Sequence, residues 1–234
     1  MQQSLHELYG RKKCKRLLVV SKQRIISLVK KQLAEIQFSI LPFRHCQLTI
    51  ENMPTKKNIS FDTNESKTLL IVRHAKSSWE LGTLSDFDRP LNDRGKKDAP
   101  MMAKRLLDKK IKIDAFISSP AKRAKNTAEL FCEQFNQPIE SIEFIASLYH
   151  AGVDDFYAAL EQLDNRFDTV AIFSHNPGIT YFVNSLTDQL QIDDMPTCAI
   201  FAIRIQSKKW AAFKSANKEF IFFDYPKNMK ITDF

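Results

Sequence analysis

Thr68-Leu69-Leu70-Ile71-Val72-Arg73-His74-Ala75-Lys76-Ser77-Ser78-Trp79 is the stretch on which the fold turns. A short apolar run bounded by polar residues reads as a buried strand, and it delivers an arginine and a histidine side by side to its carboxyl end. Open α/β sheets keep their ligand crevices there. A planar guanidinium matches phosphate oxygens, and an imidazole can stand neutral near pH 7, so the pair suits phosphoryl transfer. An Arg-His dipeptide alone is weak. The chemistry calls for a second arginine and a second histidine on equivalent strand ends.

Both are present. Asp114-Ala115-Phe116-Ile117 reads as a second strand, followed by Ser118-Ser119-Pro120-Ala121-Lys122-Arg123. Ser119 is the expected N-cap and Pro120 the first helical residue, which sets Arg123 at the start of a helix behind a strand. Thr169-Val170-Ala171-Ile172-Phe173 is a third buried strand, ending in Ser174-His175-Asn176-Pro177-Gly178. His175 therefore also falls at a strand's carboxyl end, with backbone N–H groups of the next helix close by. Three strand-to-helix junctions converge on the holding of a phosphoryl group.

The rest of the chain alternates in the same way. A helix capped by Asn92 or Asp93 is expected to run to about Asp108, kinked or broken early at Pro100 because proline removes a backbone bond. Helices over Pro120–Phe135, Val153–Leu163 and Pro177–Leu186 follow, with short strands at Ile142–Ile145, Ala199–Ile205 and Phe220–Phe223. This alternation predicts an α/β fold in three layers, α/β/α, around a mostly parallel sheet with an antiparallel edge.

Five motifs stand in order: Arg73-His74-Ala75-Lys76-Ser77-Ser78-Trp79, Asp86-Phe87-Asp88-Arg89-Pro90-Leu91, Ser118 to Arg123, Leu148-Tyr149-His150-Ala151, and Ser174 to Gly178. Together they resemble the SixA-type phosphohistidine phosphatases, a compact bacterial branch of the histidine phosphatase superfamily. The resemblance runs from about Lys67 to Tyr225 and implies a phosphoglycerate mutase-like fold. It implies that His74 is the nucleophile of a covalent phosphohistidine intermediate. Arg73 and Arg123 would clamp the phosphoryl oxygens, with Arg123 facing the pocket and its lysine neighbours facing out. His175 would be a second imidazole, protonated when phosphate is bound, helped by backbone N–H groups of Asn176 and Gly178. Ser77 holds the place of a phosphate-contacting hydroxyl.

The proton donor is less defined. Relatives acting on phosphate monoesters place a glutamate where this chain has Leu148-Tyr149-His150, so His150 is the positional candidate, with Asp86 and Asp88 as alternatives. For Asp88 a turn with a local ion pair to Arg89 is the better reading. Imidazole leaves more readily than an alkoxide, so the departure from glutamate fits a phosphoramidate substrate. Little sequence separates Arg123 from His150 to build a lid over a small metabolite.

Charge divides the chain. Residues 1–60 hold 12 Lys+Arg against 3 Asp+Glu, while the remainder holds 23 against 24, so the net +8 belongs to the first part. Residues 1–66 are read as a basic extension and linker, and residues 67–228 as the phosphatase domain. Apolar spacing at Leu18, Ile25, Val29, Leu33 and Ile36 permits an amphipathic helix in the extension. A weakly ordered tail, or codons ahead of a start near Met53, is preferred over membrane-surface attachment. No nucleic-acid partner is expected, since the basic run lacks interleaved aromatics. Four scattered cysteines support neither a disulfide framework nor a zinc site, and a reducing cytoplasm is the expected location. With five glycines and no metal-ligand cluster, no cofactor or metal is expected.

The expected partner is a phosphohistidine-bearing protein or a small phosphorylated substrate. Two rivals stand beside the first reading: a small-molecule phosphomonoesterase using the same site, and a catalytically silent phosphoprotein-binding module.

Overall fold

A computed structural model describes residues 66–79 and 85–228 of the 234. The expected extension, apart from Ser66, lies outside the described residues. The sheet has six strands in the order β3-β2-β4-β1-β5-β6. β1 is Lys67–Arg73, β2 Ala115–Ser118, β3 Glu143–Phe144, β4 Thr169–Ser174, β5 Ile200–Ile205 and β6 Lys218–Asp224. The first four are parallel, and β5 and β6 join antiparallel beside β1. The mostly parallel sheet with an antiparallel edge is as read from the alternation of elements.

Period-two alternation along the strands loads both faces with apolar side chains. Leu69 and Ile71 of β1 and Val170 and Ile172 of β4 turn to one side. There they pack with Phe156 of α3 (Val153–Glu161) and Phe182 of α4 (Gly178–Leu186). Leu70 and Val72, with Ala171 and Phe173, turn to the other. They meet Met102 and Leu106 of α1 (Asp93–Asp108) and Phe131 of α2 (Lys122–Gln134). Three layers result because each sheet face needs its own helical cover.

Pro100 corrects an expectation. α1 runs unbroken from Asp93 to Asp108 with Pro100 inside it. Its buried stripe of Gly95, Ala99, Met102, Ala103 and Leu106 continues on both sides of the proline, so tertiary packing outweighs the missing backbone bond. Asn92 caps this helix as expected, accepting from the Gly95 N–H at 2.9 Å. Gly95 itself permits contact with the loop after β1: a Cβ there would stand 2.2 Å from the Lys76 carbonyl oxygen.

The start of α2 is a second correction. It begins at Lys122, two residues late, with Ala121 in the capping position and no side-chain cap. Ser119, the expected cap, stands two residues before Ala121, and its hydroxyl oxygen accepts the Ala121 N–H at 3.3 Å. The Lys122 N–H, an orphan donor of the first turn, instead donates to the Phe87 carbonyl at 2.9 Å. α3 also closes early, at Glu161 rather than Leu163.

Register sets the geometry of the site. β1 and β4 pair in parallel with Arg73 opposite Ser174, so His74 and His175 leave neighbouring strands at the same level. The His74 N–H then donates to the Ser174 carbonyl at 3.0 Å, and the Ser119 N–H to the Phe173 carbonyl at 2.9 Å. Three chain exits are thus locked side by side.

Candidate active site

Arg73, His74, Ser77, Arg123, His150, His175 and Asn176, all singled out in the sequence, line one cavity of about 410 Å³ at the carboxyl ends of the strands. They come from four separate stretches of chain. The parallel register and the docking of α2 bring them together.

His74 is buried and held at both ring nitrogens. Nδ1 lies 2.7 Å from the Ala75 carbonyl oxygen, which can only accept, so Nδ1 carries the proton. Nε2 therefore presents a lone pair to the cavity, and it accepts from Arg123 Nε–H at 3.3 Å. Burial, followed by the charges of Arg123, Arg73 and Arg89, pushes the imidazole down to about 3 against the upward pull of the Ala75 carbonyl. A neutral imidazole near pH 7, with the Nε2 lone pair aimed at the cavity side, is the consequence.

His175 faces it, with ring centroids 5.0 Å apart and planes tilted by 48°. Its Nε2 is hydrogen-bonded with the Ser119 hydroxyl at 2.8 Å, and its buried Nδ1 has no partner among the described residues. The same hydroxyl oxygen accepts the Ala121 N–H at 3.3 Å, so Ser119 serves both His175 and the turn that enters α2. Ser174 plays no part in satisfying His175, since its own hydroxyl donates to the Leu148 carbonyl at 2.8 Å. Burial, then His74 and Arg123, depress the ring to about 2. An arriving phosphoryl dianion would act in the opposite direction, favouring the imidazolium.

The two arginines are held by carboxylates. Arg123, buried behind β2, donates Nη2–H to Asp86 Oδ2 at 2.9 Å and Nη1–H to the Asp86 carbonyl. Arg73 donates from Nη1 to Asp194 Oδ2 at 3.2 Å and to the Met195 carbonyl. Its buried Nε has no partner among the described residues. Burial lowers the Arg73 pKa, with Asp194 opposing. For Asp86, burial is the largest single influence and acts upward. The Tyr149 hydroxyl, Arg123 and Arg89 together outweigh it and leave the carboxyl at about 2.

The loop from 85 to 91 departs from the sequence reading in its pairing. Arg89 bonds Asp86 at 2.7 Å rather than Asp88, whose carboxylate accepts from the Ser85 hydroxyl at 2.6 Å. The Arg89 guanidinium also lies 3.3 Å from the ring centroid of the exposed Trp79 and donates to the Ser77 hydroxyl oxygen. With that oxygen accepting, the Ser77 proton is free to turn to a ligand. Asn176 lines the cavity, but its carboxamide is directed to Asp194 and the Met195 carbonyl and accepts from the Thr180 hydroxyl at 2.8 Å. Gly178 is not on the cavity wall. A Cβ there would meet the Ala151 carbonyl at 1.7 Å, so the glycine serves helix packing. His150 stands exposed at the wall, its ring 3.9 Å from that of Tyr149.

Sequence reasoning left Tyr149, Arg89 and Asp194 without roles. Asp86-x-x-Arg89 was the available signal for Arg89, because an acid and a base three positions apart can meet across a turn; nothing local marks Tyr149. Nothing local marks Asp194, whose partner lies 121 residues away.

This constellation can grip a tetrahedral anion with two guanidiniums while one imidazole attacks and another donates. The model of the histidine phosphatase superfamily (branch 1) matches residues 69–146. Phosphohistidine phosphatase SixA of Escherichia coli K12 is 32% identical over 120 residues, covering 50% of this chain and 73% of that protein. The chain belongs to the SixA-type histidine phosphatases. As a member of that superfamily it is a phosphatase. A solved structure of the protein histidine phosphatase SixA complexed with tungstate superposes with a TM-score of 0.60 at 27% identity, covering 70% of this chain and 99% of that one. An uncharacterized chloroplastic protein of Arabidopsis thaliana is 31% identical over 124 residues, and the match spans 57% of its length. Among the described residues of this histidine phosphatase, no helix is long and apolar enough to cross a membrane.

Proposed function

We propose that this phosphatase removes the phosphoryl group from protein phosphohistidine, through a covalent phosphohistidine formed on His74. The observation that carries the proposal is the fixed tautomer of His74: a proton on Nδ1 held by Ala75, and a lone pair on Nε2 beside Arg123. In the first step Nε2 attacks phosphorus and the bond from phosphorus to the substrate imidazole breaks, its electrons staying on that nitrogen while a proton on the ring's other nitrogen lets it leave as neutral imidazole. Arg73 and Arg123 balance charge on the equatorial oxygens, and His175 and Ser77 donate to them. In the second step water attacks phosphorus, the bond to Nε2 breaks, phosphate leaves and the lone pair returns to His74. Residues 67–228 would suffice as the catalytic unit.

Asp86 is a poor proton donor in this scheme. Its carboxyl is held at about 2 and its oxygens are bonded by Tyr149, Arg123 and Arg89, so it has no proton to give at neutral pH. His150 at the wall is the remaining donor. A site without a ready carboxylic acid favours a leaving group that departs without strong protonation, and imidazole is such a group. The SixA relative carries phosphohistidine phosphatase in its name, which supports the same substrate class.

The test is to incubate full-length protein with a phosphohistidine-bearing protein in the presence of chelator and trap phosphate on the enzyme. Acid-labile, alkali-stable phosphate on His74 is expected, lost in His74→Ala. Folded protein that turns over simple monoesters faster than phosphohistidine would overturn the substrate assignment, and a His74→Ala variant that still labels would overturn the mechanism.

A further inference from the structure

We propose that Thr127 is a positioning residue that sets the distance between the nucleophile and its clamp. The inference rests on the reading of His74 as nucleophile and Arg123 as clamp. Thr127 lies one turn into α2 and is fully buried. Its hydroxyl donates to the Arg123 carbonyl at 2.6 Å. By itself that bond is what many helical threonines make to the residue four places back. Because the hydroxyl proton is used there, the oxygen lone pairs face away from the helix, and one accepts the Ala75 N–H at 3.0 Å.

That second bond is the informative one. Ala75 is the residue whose carbonyl fixes the His74 tautomer, and Arg123 is the residue whose Nε–H meets His74 Nε2. One hydroxyl therefore ties the backbone under the nucleophile to the backbone under the clamp, 52 residues apart in sequence. The circuit runs from Thr127 to Ala75, from Ala75 to the His74 ring, from that ring to the Arg123 side chain, and back through the Arg123 carbonyl. Valine, which has the same shape without the hydroxyl, would leave the Ala75 N–H buried and unpaired, and the loop would shift to satisfy it. A displacement near 1 Å at reacting atoms costs on the order of 10²-fold in rate.

The experiment compares wild type, Thr127→Val and Thr127→Ser as full-length proteins, following phosphoenzyme formation from a phosphohistidine-bearing protein against substrate concentration and pH. Valine is expected to slow phosphoenzyme formation roughly 10- to 100-fold at saturating substrate while KM moves by less than about threefold. Serine is expected to stay within about threefold of wild type. The groups facing His74 are Arg73 from β1, Arg89 from the loop before α1, Arg123 from α2 with its partner Asp86, and His175 after β4, and all are retained. A relaxed Ala75 would nonetheless admit water to the ring, so the acid limb of the valine variant should move up toward 6.5, the ordinary imidazole value. A purely structural threonine would not shift that limb.

Wild-type rate and pH profile in Thr127→Val would overturn the proposal, as would a serine variant as slow as the valine one. If Thr127→Val does not fold by circular dichroism, Thr127→Ala is read in its place by the same criteria, and if that also fails to fold, the serine result decides. Failure of wild type to label on His74 would sink the functional reading instead, and so is distinguishable.

Discussion

The two imidazoles leave neighbouring parallel strands at the same level, yet they are held in opposite ways. His74 is tied at both nitrogens, to the Ala75 carbonyl and to Arg123. His175 is tied at Nε2 alone, to Ser119, and its Nδ1 stays unpartnered among the described residues. A nucleophile gains from one fixed tautomer with its lone pair aimed. In the proposed mechanism the companion gains a proton when an anion arrives, and an uncommitted nitrogen suits that. Equivalent positions in the sheet have thus been given different surroundings by the groups that meet each ring, Ala75 and Arg123 at one and Ser119 at the other.

The sharpest way to break this comparison is to remove each ring in turn. His74→Ala should abolish acid-labile labelling and lower turnover by roughly 10⁴-fold or more, as loss of a covalent nucleophile does. His175→Ala should still label, at a rate reduced by about 10²- to 10³-fold, the range for loss of one transition-state donor. Equal losses measured by rapid-quench labelling would erase the distinction drawn above.

The arginines sharpen it next. Arg123→Lys keeps a charge but loses both the planar fork and the Nε–H at His74, and phosphoenzyme formation should fall about 10²-fold. Asp86→Asn should cost less. It removes a charge partner from Arg123 and Arg89, so KM should rise several-fold while kcat changes little. Were Asp86 the proton donor, kcat on a monoester would instead fall by about 10² or more. Steady-state kinetics on both substrate types separate these outcomes.

The smallest expected effect is on stability. Both rings stand near 3 and 2 in the folded protein against 6.5 when exposed, so between those values the unfolded chain binds more protons than the folded one. Stability is therefore complete above about 6.5 and is lost as pH falls toward 3. Asp86, held at about 2 against 3.8, adds a loss of the same sign at lower pH. The urea midpoint should drop from pH 7 to pH 5, by an amount worth about 2 kcal/mol per histidine, and His175→Gln should flatten part of that slope. A midpoint unchanged across this range would contradict the burial of the two rings.

The legible parts of the molecule were those governed by neighbours in sequence. The strand under Leu69 to Val72 follows from its own apolar run, and the Asn92 cap from its own side chain. The alternation of strands and helices was enough to indicate the layers. What could not be read is instructive at particular residues. Ser119 reads as a cap from its neighbours and does hold the Ala121 N–H, yet nothing near it announces a histidine 56 residues away that shares its hydroxyl. Pro100 looked like a break because the core against which the buried stripe of α1 packs lies on other elements of the fold. Asp88 looked like the partner of Arg89 because it is adjacent, yet Asp86, three residues back, has the reach and direction to bridge Arg89 and Arg123 at once.

By itself the sequence determined the inventory and the local order: two arginines and two imidazoles, each one step past a buried strand or on the helix behind it, on a chain whose periodicities build an α/β sheet. Those features are set by side-chain type and by spacings of two to four residues. Only the tertiary structure decided that Arg73 stands opposite Ser174, that Arg123 is held over the His74 lone pair by Asp86, and that one threonine joins the two halves of the site. Such pairings depend on strand register and helix docking, which are fixed by packing summed over the whole core rather than by any residue's near neighbours.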